Sequence, residues 1–88
     1  MEFIERKYKL GELPDGIKDK IYSSIRDTKW SSIDKLYFNP STIDDDIMIT
    51  IAKRADYHGY ALINDQIIVA SLEPIEVQEI EAKVANGQ

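Results

Sequence analysis

Cysteine is absent from all 88 residues. That absence removes disulfides, thiol nucleophiles, zinc knuckles and iron–sulfur ligation together. A domain this small with neither disulfide nor metal staple is held by packing alone. A reducing compartment is therefore expected, with the cytoplasm as the default. Histidine occurs once, at His58, so a nucleophile–base pair has few ways to form. The longest apolar run is Ile67-Ile68-Val69-Ala70, far short of the roughly 20 residues a membrane helix needs. Met1 to Arg6 shows no basic stretch leading into an apolar one, so no signal peptide is expected. Asn39-Pro40-Ser41 has proline at the middle position and is no glycosylation acceptor.

Glycine is sparse, and its four copies (Gly11, Gly16, Gly59, Gly87) are scattered. They form neither a phosphate-binding loop nor a dinucleotide fingerprint. Ser23, Ser24, Ser31 and Ser32 have no accompanying base. Paired-carboxylate chemistry needs an enclosed cleft with split pKa values. A chain of this length buries roughly 60–65% of its unfolded surface, enough for one core but not for a deep pocket as well.

What is present is an ordinary globular composition, 43% hydrophobic and 31% charged, as one domain over residues 1–88. Net charge is −5, unevenly spread. Residues 1–38 hold eight Lys/Arg and seven Asp/Glu, a balance of +1; residues 39–88 hold three and nine, a balance of −6. Such a surface repels a nucleic-acid backbone. Its simplest use is solubility.

Hydrophobic periodicity supplies the elements. Ile4, Tyr8 and Leu10 share one face at period two, broken by Arg6, which predicts an edge strand over residues 2–10. Gly11 to Pro14 reads as a turn with Asp15 as helix N-cap. Ile17, Ile21 and Ile25 then recur every fourth residue, joined by Ser24, and predict a helix over 15–27. Residues 30–38 fit two patterns. Trp30, Ile33 and Leu36 suit a helical stripe, whereas Leu36-Tyr37-Phe38 suits a strand. A strand over 33–38 is the expectation, ended by Asn39-Pro40-Ser41-Thr42.

Ile47, Ile49 and Ile51 alternate with Met48, Thr50 and Ala52, a strand pattern. Residues 60–63 and 66–70 flank Asn64-Asp65, which suits a two-residue hairpin turn. Leu62 would then oppose Ile67, and Tyr60 would oppose Val69, all four on one face. Pro74 opens a last helix to about residue 85, with Val77, Ile80 and Val84 as its apolar stripe, Glu79–Lys83 as an i,i+4 pair and Asn86-Gly87 as its stop. The expected fold is α+β and two-layered, in the order β-α-β-β-β-β-α. A small, mostly antiparallel sheet of about four to five strands carries two helices.

Three clusters invite a chemical reading. Asp56-x-His58 is a pair able to position an imidazole or ligate a metal, yet it also reads as a solvated turn. Asp44-Asp45-Asp46 offers oxygen ligands for magnesium or calcium but lacks the glycine and distal glutamate of a calcium loop. Charges guarding the strand that follows are the simpler account. Lys18, Lys20, Arg26, Lys29 and Lys35, near Tyr22, Trp30 and Tyr37, sketch a basic–aromatic face. Asp15, Asp19, Asp27 and Asp34 dilute it, so no direct nucleic-acid contact is expected.

The charge asymmetry points to a protein-binding domain. Asp44, Asp45, Asp46, Asp56, Asp65, Glu73, Glu76 and Glu79 would form an acidic face docking on a partner's basic, nucleic-acid-binding surface. Small phage-encoded inhibitors of host nucleic-acid enzymes are similar in size and charge balance, a likeness of composition that covers no motif. The competing readings are a minimal metal-dependent enzyme using Asp44, Asp46 and His58, and a homodimer paired through residues 3–10 or 30–38. Neither a cofactor nor a membrane partner is expected.

Overall fold

A computed structural model describes residues 4–64 and 67–85 of the chain. Four strands, β1 (Ile4–Lys9), β2 (Met48–Lys53), β3 (Gly59–Ile63) and β4 (Ile67–Leu72), pair antiparallel in the order β1-β2-β3-β4. Helices α1 (Asp15–Asp27) and α2 (Pro74–Ala85) cover one face of this sheet. The expected two-layer α+β architecture is the one observed.

The core lies between the layers. Ile17, Ile21 and Ile25 of α1 and Val77 and Ile80 of α2 meet Tyr8, Ile49, Ile51, Ala61, Ile63, Ala70 and Leu72 of the sheet. Helix spacing and strand alternation each put every one of these side chains on the inner side. Leu10 and Leu13, from the 3-10 turn Leu10–Glu12 and its exit, close one end of that layer.

The helix starts use different devices. Asp15 is the first helical residue of α1, and Pro14 occupies the cap position that Asp15 was expected to fill. Pro14 has no side-chain acceptor; the Asp15 carboxylate sits in the first turn, where the helix dipole favours it, and lies 3.9 Å from Lys18 Nζ. In α2, Pro74 takes the first helical position, where a missing N–H costs nothing. The Glu73 N–H donates back to Glu76 Oε1 at 2.9 Å, half of a capping box. Near the other end of α2, Lys83 Nζ donates to the Leu13 carbonyl at 3.2 Å, tying the helix to the β1–α1 connection.

Two expectations fail on register and on one element. Ile63 pairs with Ile67, so the β3–β4 connection is residues 64–66 rather than two residues. Asn64 has a φ of 56°, while Asp65, expected in the turn, lies outside the described residues. Leu62 consequently pairs with Ile68 and Tyr60 with Ser71. A one-residue slip exchanges the faces of a strand. Ala61 and Ile63 therefore face the helices, and Leu62 and Tyr60 face away. Beyond Ile68 a bulge leaves Val69 without a ladder partner, and its carbonyl accepts the Ser24 hydroxyl of α1.

Residues 33–38 are not a strand. Asp34–Leu36 is a 3-10 turn, with Leu36 N–H donating to Ile33 O and Tyr37 N–H to Asp34 O. Its backbone N–H groups at Leu36, Tyr37 and Phe38 are spent on bonds within the turn, and it joins neither edge of the four-stranded sheet, β1 nor β4. Among the described residues the order is therefore β-α-β-β-β-α, with a long α1–β2 connection carrying two 3-10 turns.

Candidate functional site

The α1–β2 connection is ordered from within. The Trp30 indole N–H donates to the Ile25 carbonyl at 3.0 Å, and the Trp30 ring packs on Phe38 at 5.5 Å between centroids. Trp30, Phe38, Ile43 and Ile47 all rest against the core. Ser31 Oγ accepts the Asp34 N–H at 3.0 Å, and Asn39 Oδ1 accepts the Ser41 N–H at 3.0 Å, starting the second turn, Pro40–Thr42. From the sheet, Asn64 Nδ2 donates to the Tyr37 carbonyl at 2.5 Å. Two apolar anchors, Trp30 and Phe38, with the bonds at Trp30, Ser31 and Tyr37 thus hold residues 30–38 as a knuckle.

The knuckle turns its remaining large apolar residues outward. Ile33 is 66% exposed, Leu36 80% and Tyr37 53%. Leu36 is the most exposed large hydrophobic among the described residues. Three such side chains within five positions form a local apolar surface rather than isolated exposed residues. Sequence reasoning reached this stretch only as a self-pairing segment and did not single out Ile33, Leu36 and Tyr37. The only signal was the contradiction in its periodicity: part of the stripe serves the core and part does not.

The acidic candidates do not share one face. Antiparallel pairing sets Lys9, Met48 and Ile63 at one end of the sheet and Ile4, Lys53, Gly59 and Leu72 at the other. Asp44, Asp45 and Asp46 enter β2 at the first end, the end where Asn64 holds the knuckle. Asp56 follows β2 at the opposite end, and Glu73 and Glu76 start α2 there, with Glu79 one turn on. Asp65 lies outside the described residues. The single acidic face expected from composition is thus split in two, because alternating strands return acidic loops to both ends.

Several of these carboxylates serve the fold itself. Asp45 Oδ1 accepts the Tyr22 hydroxyl at 2.6 Å, and Asp45 Oδ2 lies 3.9 Å from Lys18 Nζ. The hydrogen bond to Asp45 raises the Tyr22 phenol to about 12. Asp44 Oδ1 accepts the Asp46 N–H at 2.9 Å, a local turn. Glu76 Oε1 pairs with Lys20 Nζ at 2.8 Å as well as with the Glu73 N–H. Partial burial of Glu76 opposes ionisation, but the hydrogen bonds from Lys20 and Glu73 outweigh it and lower its pKa.

At the far end, His58 sits between two carboxylates. Its Nδ1 is 3.6 Å from Asp56 Oδ1 and its Nε2 is 3.5 Å from Glu73 Oε2. The expected Asp56–His58 pair is real, and Glu73 joins it. The His58 N–H also donates to Asp56 Oδ1 at 3.1 Å, the leading cause of a lowered Asp56 pKa. Because the two ring nitrogens face opposite carboxylates, the three groups do not converge on one point. Asp44 and Asp46 stand at the other end of β2, roughly 17 Å away at about 3.4 Å per residue. The metal centre of Asp44, Asp46 and His58 is therefore not assembled. Among the described residues no group of three or more His, Asp or Glu is placed to hold a metal ion.

The surface hollows among the described residues include two of similar size. One, about 250 Å³, is lined by Arg54, Asp56, His58, Tyr60, Ser71 and Glu73. The other, about 220 Å³, lies on the uncovered sheet face over Ala52, between Glu5, Tyr60, Leu62 and Ile68. Both are smaller than the roughly 300–1,000 Å³ of small-molecule sites. Among the described residues no helix is long and apolar enough to cross a membrane. No family model matches the chain, and neither a curated protein nor a solved structure matches it.

Proposed function

We propose that this chain is a protein-binding module whose contact surface is the knuckle of residues 30–38. The observation that carries this reading is the outward presentation of Ile33, Leu36 and Tyr37 on a segment held rigid beneath them. An ordered loop loses little conformational freedom on binding, so more of its apolar burial appears as affinity. Loops positioned by a rigid scaffold are the usual seat of recognition. The two small hollows and the separation of Asp44 and Asp46 from His58 favour this reading over the metal-dependent enzyme.

Acidic docking on a basic partner is retained in a reduced form. Asp44 and Asp46 lie at the knuckle's end of the sheet, whereas Asp56, Glu73 and Glu79 do not. On a partner that binds nucleic acid, such a domain acts as an inhibitor or modulator by occupying the basic surface.

The test is affinity capture with the wild-type chain beside Leu36→Asp and Tyr37→Ser, after their melting temperatures are shown to match. A stoichiometric partner retained by the wild type and lost from both variants supports the reading. Equal retention by all three rejects it.

A further inference from the structure

The sheet face turned away from the helices carries features that complement one another. Ile49 and Ile51 of β2 enter the core, so Met48, Thr50 and Ala52 point the other way. Cross-strand pairing sets this face out in three rows. Lys9 and Met48 make the first. The middle row runs from Lys7 past Thr50 and Leu62 to Ile68. Glu5, Ala52 and Tyr60 make the third. Met48 is 47% exposed and Ile68 60%. Over Ala52 lies the hollow of about 220 Å³. One end of the β1–β2 pair thus bears a cation and a projecting apolar side chain, the other an anion and an apolar hollow.

We infer that this face docks a second copy of the chain, stacked sheet on sheet about a two-fold axis along the middle row. That rotation exchanges the first and third rows and keeps each strand over its own counterpart. Met48 of each protomer then stands over Ala52 of the other and enters the hollow. Lys9 of each protomer meets Glu5 of the other, which gives two ion pairs. Leu62 and Ile68 stack on their counterparts between them. Lys7 falls on the same row but at the edge strand, where a long side chain keeps its ammonium in water. Packed sheets stand about 10 Å apart, a gap that a lysine and a glutamate span together. The occupant is a second copy because the complement of each feature lies on this face, along the same strand: Glu5 with Lys9 on β1, Ala52 with Met48 on β2. Self-complementarity of that kind is what a two-fold interface requires.

The contact is small, about 14 by 14 Å from strand spacing and rise per residue, and the net charge of −5 opposes self-association. The dimer is accordingly a weak one, with a dissociation constant on the order of 100 µM. It does not depend on the knuckle.

Sedimentation equilibrium of the full chain from about 10 µM to about 1 mM is expected to show a reversible monomer–dimer equilibrium. Met48→Asp should abolish the dimer. Lys9→Glu and Glu5→Lys should each weaken it about tenfold, because each sets like charges together at both symmetry-related pairs. The double change Glu5→Lys/Lys9→Glu should restore it to within about threefold. Leu36→Asp, on the knuckle, should leave it unchanged, so the two surfaces are tested separately. Dilution of isotope-labelled wild type needs no substitution. It should move the NMR signals of Met48, Ala52, Leu62 and Ile68 and leave those of Ile33 and Leu36 in place.

A monomer throughout that range would overturn the inference. So would a dimer that Leu36→Asp abolishes, a double variant no better than the single ones, or dilution shifts confined to residues off this face. Strengthening by Glu5→Lys would overturn it too, since relief of net charge alone produces that.

Discussion

The Tyr22 hydroxyl donates to Asp45 Oδ1 at 2.6 Å, joining the third turn of α1 to the acidic run before β2. The two residues are far apart in sequence, and their bond makes the middle aspartate of the run a structural group. The same run contacts Gly11 through the Asp45 backbone. The end of the sheet that bears the knuckle is therefore braced by α1, by the β1–α1 connection and by Asn64 together.

Tyr22 is expected to ionise late, near pH 12. Its pKa is raised above the unfolded value of about 10. The stabilisation is therefore complete below pH 10 and is lost as pH rises through 12. Absorbance titration of wild type and Tyr22→Phe checks this. The latest component should vanish in the variant, and the variant should lose the alkaline part of the pH dependence.

Gly11 has no room for a side chain. An added Cβ would stand 2.8 Å from Asp45 Cβ and 3.2 Å from the Asp45 carbonyl oxygen. Gly11→Ala should destabilise by about 1–3 kcal/mol through overpacking. Urea unfolding measures it, and a neutral result would mean that the Asp45 loop yields freely.

Glu76 should matter in acid. It accepts from both Lys20 and the Glu73 N–H, and its pKa is lowered. A lowered carboxylate contributes stability above its unfolded pKa and loses it as pH falls through the folded one. Glu76→Gln is therefore expected to melt lower than wild type at pH 7 and to converge with it in strong acid. A constant gap across that range would show that Glu76 acts through packing rather than charge.

Ile21 and Leu36 are both large apolar residues, but only the first is core. Ile21→Ala should cost about 2–5 kcal/mol. Leu36→Ala should stay within about 0.5 kcal/mol, as expected for an exposed site. Denaturant melts of the two variants separate burial for stability from exposure for binding.

Magnesium, calcium, manganese and zinc should each leave the melting temperature unchanged, because Asp44 and Asp46 lie at the opposite end of β2 from His58. A ligand at 100 times its dissociation constant would stabilise by about 2.7 kcal/mol, a shift readily seen. A shift with any ion that Asp44→Asn abolishes would restore the metal reading.

Much of the fold was legible in the sequence where periodicity was strict. Ile17, Ile21 and Ile25 gave the span of α1, and Ile49 and Ile51 gave the inner face of β2. The β3–β4 register was not legible. Leu62 and Ala61 are both apolar, so alternation cannot choose between them. The choice rests on the longer connection and on the Val69 bulge, which is tied to Ser24. Knuckle residues carried conflicting signals because Trp30 and Phe38 anchor while Ile33 and Leu36 protrude. The acidic residues were visible one by one, but their division between two ends depends on strand direction, a tertiary property.

The most direct test places a photo-reactive residue at position 36 and, as control, at position 75, where Ile75 is equally apolar and 60% exposed on α2. The protein partner should crosslink efficiently through position 36 and not through position 75. Crosslinking through position 75 alone, or equally through both, would contradict the knuckle as the binding surface.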